Sequence, residues 1–199
     1  ATTEIYTLSL HDALPISAVG MLCMCRDVTV ERQLEKKIIY SANTDQLTDL
    51  YNRRYFYEYM TRNKIMSKHV NLFYIDLDNF KKINDEYGHQ AGDTVLVMVA
   101  KLLKQTFGAE FIARVGGDEF LAVVLGSKTD AELAILAERF LSSLQQTIAD
   151  NAKFSVLSAS IGIAVSNALT DVDLLIRQSD SALYEAKRNG KKQYKIYHK

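Results

Sequence analysis

The chain has 199 residues, of which 48% are hydrophobic and 24% charged. That is the composition of an ordinary globular protein with one sizeable core and room for an appendage. Its formal net charge of +0 excludes a global electrostatic case for nucleic acid or for a membrane surface, and no apolar run approaches the roughly 20 residues of a membrane-spanning helix.

Residues 1–17 contain the only proline, Pro15, show no clear periodicity and do not form a signal peptide. They read as an artefact or a stray piece of an upstream domain, outside the fold. Val19 to Cys25 reads as a strand. Alternation puts Cys23 and Cys25 on one face, as buried thiols rather than a disulfide or metal pair, and the four His show no ligand spacing. Reduced thiols imply a cytoplasmic fragment, with a membrane anchor in a parent protein left open. Arg26 to Tyr40 predicts a helix with Thr29 as its cap, and Val30, Leu34 and Ile38 make a narrow stripe of coiled-coil type.

Arg53 to about Lys68 reads as a helix with Tyr55, Phe56, Tyr59 and Met60 on one face. His69 to Asp78 is a strand apolar on both faces, hence central in its sheet. It runs into Asp76 and Asp78, acids that are costly there unless they bind a cation or pair. A short helix from Phe80 to Tyr87 ends at Gly88. A longer one from Gly92 to Thr106 has Val95, Val99, Leu102 and Leu103 at core spacing.

Two apolar runs, Phe111–Ala113 and Phe120–Leu125, flank Arg114-Val-Gly-Gly-Asp-Glu and predict a β-hairpin. Gly116 and Gly117 permit positive φ and close approach of another molecule. Asp118 and Glu119 place two carboxylates at the tip, pointing to opposite faces and suited to different tasks. Thr129 with Glu132 forms a capping box for a helix that buries Leu133, Leu136, Phe140, Leu144 and Ile148. Phe154 to Val165 is a strand region. Thr170 with Asp173 caps a helix ending at Gly190, and Tyr194 to Tyr197 is a last strand. This order predicts an α/β sandwich with one largely antiparallel sheet and helices on both faces.

Four blocks, in order, resemble the signature blocks of GGDEF-domain diguanylate cyclases. They are Asp45-Gln-Leu-Thr-Asp-Leu-Tyr-Asn-Arg-Arg-Tyr-Phe56, the run from Asp76 to Asp93, Arg114-Val-Gly-Gly-Asp-Glu-Phe120, and Ser179 to Lys191. Four long blocks in sequence are far more specific than one short motif. The resemblance covers residues 43–199 as the catalytic domain. Residues 18–42 look like the last strand of a PAS sensor domain and its linker helix.

The resemblance implies a palm-like fold akin to nucleotide cyclases. It implies an enzyme that condenses two GTP into cyclic di-GMP, a bacterial second messenger, and releases pyrophosphate. Such nucleotidyl transfer needs positioning and charge neutralisation, for which two Mg²⁺ ions about 3.5–4 Å apart are suited, or Mn²⁺ in their place. By the same likeness, Asp76, the Leu77 carbonyl, Asp118 and Glu119 are the metal ligands, and Asp76, Asp118 and Glu119 the catalytic acids. Asn84 and Asp93 read guanine. Phe80 and Lys81 offer backbone to the phosphates, with Gly116 and Gly117 at the substrate. Lys187 and Lys191 form a cationic clamp, Lys191 standing where Arg is common. A homodimer through the linker helix and the active-site faces is implied, with one GTP per protomer, no nucleic acid and no membrane contact by this fragment.

One family feature is missing. The inhibitory Arg-x-x-Asp product site falls on Phe107 and Glu110, which cannot form it, so no product inhibition through that site is expected. Two rival readings stay open: a non-catalytic GTP or cyclic di-GMP receptor, against which the intact acids speak, and another palm-domain nucleotidyl cyclase, against which Asn84 and Asp93 speak.

Overall fold

The computed structural model describes residues 3–9, 21–27, 29–62, 69–108, 111–149, 151–166 and 171–198. The chain divides into two compact units, Ala1–Ala42 and Asn43–Lys199. In the first, strand β1 (Thr3–Ser9) pairs antiparallel with β2 (Met21–Asp27). Thr3–Ser9 falls in the stretch read as an artefact or a stray piece of an upstream domain, and it forms a strand because Thr-Glu-Ile-Tyr-Thr-Leu-Ser is rich in β-branched and aromatic residues. The Cys23 and Cys25 side chains, Pro15 and the start of the strand at Val19 lie outside the described residues. Helix α1 (Thr29–Asn43) follows, and none of its residues is buried. Val30, Leu34 and Ile38 are 67%, 54% and 68% exposed.

The second unit is built on six strands. These are β3 (Tyr51–Asn52), β4 (Val70–Asp78), β5 (Phe111–Arg114), β6 (Glu119–Leu125), β7 (Ser158–Ser166) and β8 (Tyr194–Ile196), in the order β3-β5-β6-β4-β7-β8. The three inner pairings, β5–β6, β6–β4 and β4–β7, are antiparallel, and the two outer ones are parallel. β4 sits at the centre, as its apolar run requires. Alternation splits its side chains between two cores. Phe73, Ile75 and Leu77 pack with α4 (His89–Phe107) and α5 (Asp130–Ala149), while Val70 and Leu72 pack with α2 (Arg53–Arg62) and α6 (Val172–Arg188). The α/β sandwich with helices on both faces is the observed architecture.

Local signals explain most of the helices. The box at Thr129 forms in both directions: Glu132 Oε2 accepts from the Thr129 N–H at 2.9 Å, and the Glu132 N–H donates to Thr129 Oγ1 at 3.3 Å. On α5, Leu136 is only half-buried and Ala137 takes the core position. The cap read at Thr170 and the helix extension to Lys68 lie outside the described residues. α4 begins at His89, three residues before the expected Gly92, because only Gly88 breaks the chain. With φ at 82° it ends α3 (Phe80–Tyr87) and starts α4. Gly92 lies inside the helix, where a Cβ would come within 1.9 Å of Asn84 Oδ1.

One close approach decides where α6 sits. A Cβ on Gly162 of β7 would come within 1.9 Å of the Ser179 carbonyl oxygen and 2.3 Å of the Leu183 nitrogen. The α6 backbone therefore rests directly on the sheet at Gly162, and beyond Leu183 the helix runs on through Lys187 to its cap at Asn189.

Candidate active site

The C-terminal end of β4 and the β5–β6 tip open onto a cleft of about 760 Å³. Asp76, Asp118, Phe80, Lys81, Lys187 and Lys191 line it. β4 presents Asp76 directly across from Glu119 on β6. The Leu77 N–H donates to the Asp118 carbonyl at 3.2 Å and fixes the hairpin tip beside the strand end. Asp76 and Asp118 are thereby neighbours, as the sequence suggested.

Three acids in one place repel each other. Burial first, and then the Asp76 charge, push the Asp118 carboxyl above its ordinary range. Burial, Asp76 and Asp118, in that order, push Glu119 up too, against a hydrogen bond from Tyr74. Lys187 answers this charge: its Nζ lies 2.7 Å from Asp76 Oδ2. A residue read as a phosphate clamp is here bonded to a carboxylate read as a metal ligand.

Among the described residues, no three His, Cys, Asp or Glu side chains are arranged to hold a metal ion by themselves. Mg²⁺ rarely asks for this. It takes one or two carboxylates and completes its octahedron with water and phosphate oxygens. A crowded set of hard oxygen donors, two of them with raised pKa values, fits a cation that arrives with a polyphosphate.

The hairpin glycines act differently from expectation. Neither Gly116 nor Gly117 has a positive φ. Gly116 is small because Glu119 folds back over it, so that a Cβ would meet Oε2 at 2.3 Å, while Gly117 faces open space. The Gly117 carbonyl is held by Arg114, whose Nη2 and Nε donate to it at 2.8 and 3.2 Å. Arg114 Nη1 in turn donates to Asp45 Oδ1 at 3.1 Å, and Asp45 accepts from the Thr48 N–H at 2.9 Å and its hydroxyl at 2.6 Å. Burial works against ionisation of Asp45, but the Thr48 and Arg114 bonds outweigh it and hold the carboxyl below its usual range. Both residues stood inside the matching blocks without a role. The signal was Asp-x-x-Thr, an acid positioned to bond the backbone three residues on.

The two residues to which the resemblance assigns the guanine are set apart from the acids. Asn84 and Asp93 belong to the adjoining helices α3 and α4, and neither lines the Asp76–Lys191 cleft. Asn84 Oδ1 abuts Gly92, and the exposed Asp93 faces a second groove with Leu47, Val97 and Met98. Phe107, which stands where the resemblance places the Arg of a product site, is buried and packs edge-on against Phe73, with ring centroids 5.0 Å apart. Glu110 lies outside the described residues.

Comparison with known proteins agrees with this geometry. The chain is 33% identical over 185 residues to the diguanylate cyclase DgcM of Escherichia coli (strain K12), a match covering 89% of this chain and 44% of that protein. It is 33% identical over 192 residues to the cyclic di-GMP phosphodiesterase PdeR of the same strain, covering 94% of this chain and 29% of that one. It thus spans less than half the length of these curated relatives. Among solved structures, the coiled coil and GGDEF domain of DgcB from Caulobacter crescentus, in complex with c-di-GMP, aligns with a TM-score of 0.78 at 26% identity, over 85% of this chain and 93% of that one. The family model of the diguanylate cyclase GGDEF domain matches residues 42–193, three quarters of the chain and all of the cleft, and the chain belongs to that family.

Proposed function

We propose that this domain is an active diguanylate cyclase. It condenses two GTP into cyclic di-GMP. Each 3′-hydroxyl attacks the α-phosphate of the other nucleotide, and two pyrophosphates leave. The observation that carries this reading is the meeting of Asp76 and Asp118 with Lys187 and Lys191 in one cleft at the end of the central strand. Acids for a hard cation and lysines for phosphate are what the transfer needs side by side.

Asp76, the Leu77 carbonyl, Asp118 and Glu119 would hold Mg²⁺, which supplies charge neutralisation at the α-phosphate and the leaving group. Phe80 and Lys81 bring backbone N–H groups at the start of α3, where the helix favours anions. Lys191 faces the phosphates from the other wall. Lys187, 2.7 Å from Asp76 Oδ2, offsets part of the negative charge of the acids that would hold the cation. Asn84 and Asp93 read the guanine edge beyond the cleft.

The product joins two nucleotides and each protomer offers one such cleft, so two protomers must meet. The exposed stripe of Val30, Leu34 and Ile38 on α1 is the proposed contact. Purified protein with labelled GTP and Mg²⁺ is expected to form cyclic di-GMP, with specific activity rising as protein is concentrated. Leu34→Glu should lower that activity and shift the protein toward monomer. Activity independent of concentration and unchanged by Leu34→Glu would remove α1 from the mechanism, and absence of product at high concentration would favour a GTP receptor. Added cyclic di-GMP should not inhibit through position 107, where Phe107 is core.

Arg114→Ala should lower turnover about tenfold to a hundredfold, the range that a displacement of about 1 Å can cause, while changing the melting temperature little. Its guanidinium ties Asp45 to the Gly117 carbonyl, and without it the tip carrying Asp118 loses its brace. Arg114→Lys should not restore activity, since an ammonium cannot span both acceptors in one plane. Wild-type turnover in Arg114→Ala would show that the tip holds its place without the brace.

A further inference from the structure

Asp78 is the acid at the end of β4 that the metal and phosphate contacts do not use. It is 2% exposed, as buried as the core around it. Its Oδ2 accepts from the Ser158 hydroxyl at 2.8 Å and from the Lys192 backbone N–H at 3.2 Å, and its Oδ1 accepts from the Ser160 hydroxyl at 2.9 Å. All three donors are neutral. A buried carboxylate satisfied only by neutral donors depends on each of them being held in place.

Two of those donors come from β7, which is already paired with β4. The third comes from the turn between α6 and β8, 114 residues away in sequence. That turn runs against backbone preference, because Lys191 has φ 63° and Lys192 φ 51°. Two consecutive left-handed residues other than glycine persist only where the surroundings impose them. The residue just after β4 repeats the pattern: Asn79 is itself left-handed at φ 63°, its Nδ2 donates to the Val156 carbonyl at 2.8 Å, and its Oδ1 accepts from Lys191 Nζ at 3.3 Å. Asp78 and Asn79 therefore hold the backbone of Lys192 and the side chain of Lys191, one residue each.

We propose that Asp78 is a positioning residue for triphosphate binding: by accepting the Lys192 N–H, its buried carboxylate holds the Asn189–Gln193 turn in the left-handed form that aims Lys191 into the cleft. This rests on the reading of the cleft as the phosphate site of GTP. Asp78 touches no substrate. It acts through the turn, and its effect is confined to ligands that reach Lys191.

The test is calorimetric binding with Mg²⁺, using two probes. 3′-Deoxy-GTP lacks the attacking hydroxyl and binds without reacting, and GMP lacks the β- and γ-phosphates. The proteins are the wild type, Asp78→Asn, Lys191→Ala and the double variant. Asn keeps the size of Asp78 but turns one acceptor into a donor facing donors. Lys191→Ala is expected to weaken 3′-deoxy-GTP about tenfold, the size of one charge-assisted contact. Asp78→Asn should weaken it by a similar factor, the double variant should be no worse than about twofold beyond either single one, and GMP binding should stay within about twofold throughout.

Three results overturn the proposal while leaving the phosphate site intact: unchanged 3′-deoxy-GTP affinity in Asp78→Asn, effects that multiply in the double variant, or an equal loss of GMP binding. If Lys191→Ala itself has no effect, the phosphate-site reading falls, and this proposal with it. Should Asp78→Asn fail to fold by circular dichroism, Ser160→Ala takes its place, since it removes one donor and keeps the carboxylate. It is expected to weaken 3′-deoxy-GTP about two- to threefold, an effect lost in the Lys191→Ala background. No weakening in Ser160→Ala overturns the proposal.

Discussion

Asp118→Asn is expected to cut cyclic di-GMP formation by about a thousandfold or more and, at neutral pH without Mg²⁺, to raise the melting temperature. The first effect follows from the loss of a hard anionic ligand at the tip, because an amide oxygen carries no net charge to hold the cation. The second follows from crowding. Asp118 and Glu119 both have pKa values raised by burial and by neighbouring carboxylates. A raised carboxyl pKa means that the folded protein holds its proton more tightly than the unfolded chain. The protein therefore pays no penalty at pH values below the ordinary carboxylate range, and it loses stability as the pH rises through the raised values. Removing one charge relieves this loss. The gain should be present at pH 7, vanish below about pH 4, and shrink when Mg²⁺ is added to the parent protein. Thermal unfolding at two pH values, with and without Mg²⁺, checks each arm. A variant that loses stability at pH 7 would show that Asp118 contributes more to the fold through hydrogen bonds than it costs through charge.

Gly162→Ala is expected to destabilise the domain by about 3 kcal/mol or more and to abolish GTP binding in whatever remains folded. The reason is space, since Gly162 is not among the residues with positive φ. The added methyl would lie 1.9 Å from the Ser179 oxygen and 2.3 Å from the Leu183 nitrogen, both of them helix backbone that no rotamer change can move. Relief requires α6 to lift from β7. α6 carries Lys187, which bonds Asp76 at 2.7 Å, and it leads into the turn that carries Lys191. A packing fault on β7 is thus transmitted to both lysines. Gly117→Ala is the matched control: its Cβ would meet nothing within 4 Å and its φ is not positive, so the melting temperature should move little. Equal unfolding midpoints for Gly162→Ala and the parent would show that α6 has slack at this crossing.

Much of this fold was legible along the chain. Val70 and Leu72 on one face of β4 and Phe73 and Ile75 on the other leave no polar face to give to water, so a central place for β4 follows from the sequence alone. The hairpin, the box at Thr129 and the core stripe of α4 depend on residues within about four positions of each other, the range over which backbone bonding and helical spacing act. Where the local reading failed, two local signals competed. Gly88 and Gly92 both read as breaks, and only a positive φ at Gly88 made one of them real. At Gly116 the sequence suggested conformational freedom, and the cause turned out to be the Glu119 side chain folded over it.

By itself the sequence determined most of the elements (though not β1 or β3), their order, the central strand with its terminal acids, and membership of the family through four blocks in order. Tertiary structure alone decided what surrounds each of those acids. Asp76 and Asp78 share one face of one strand, two residues apart, and nothing local distinguishes them. Packing sets Asp76 opposite Glu119 and under Lys187, and sets Asp78, at the floor of the same cleft, among Ser158, Ser160 and the Lys192 N–H with 2% of its surface exposed. The difference lies in partners about 40 to 114 residues away. A carboxylate takes its role from the charges and donors around it in space, and those are brought there only when β7, the hairpin and the end of α6 close over the end of β4.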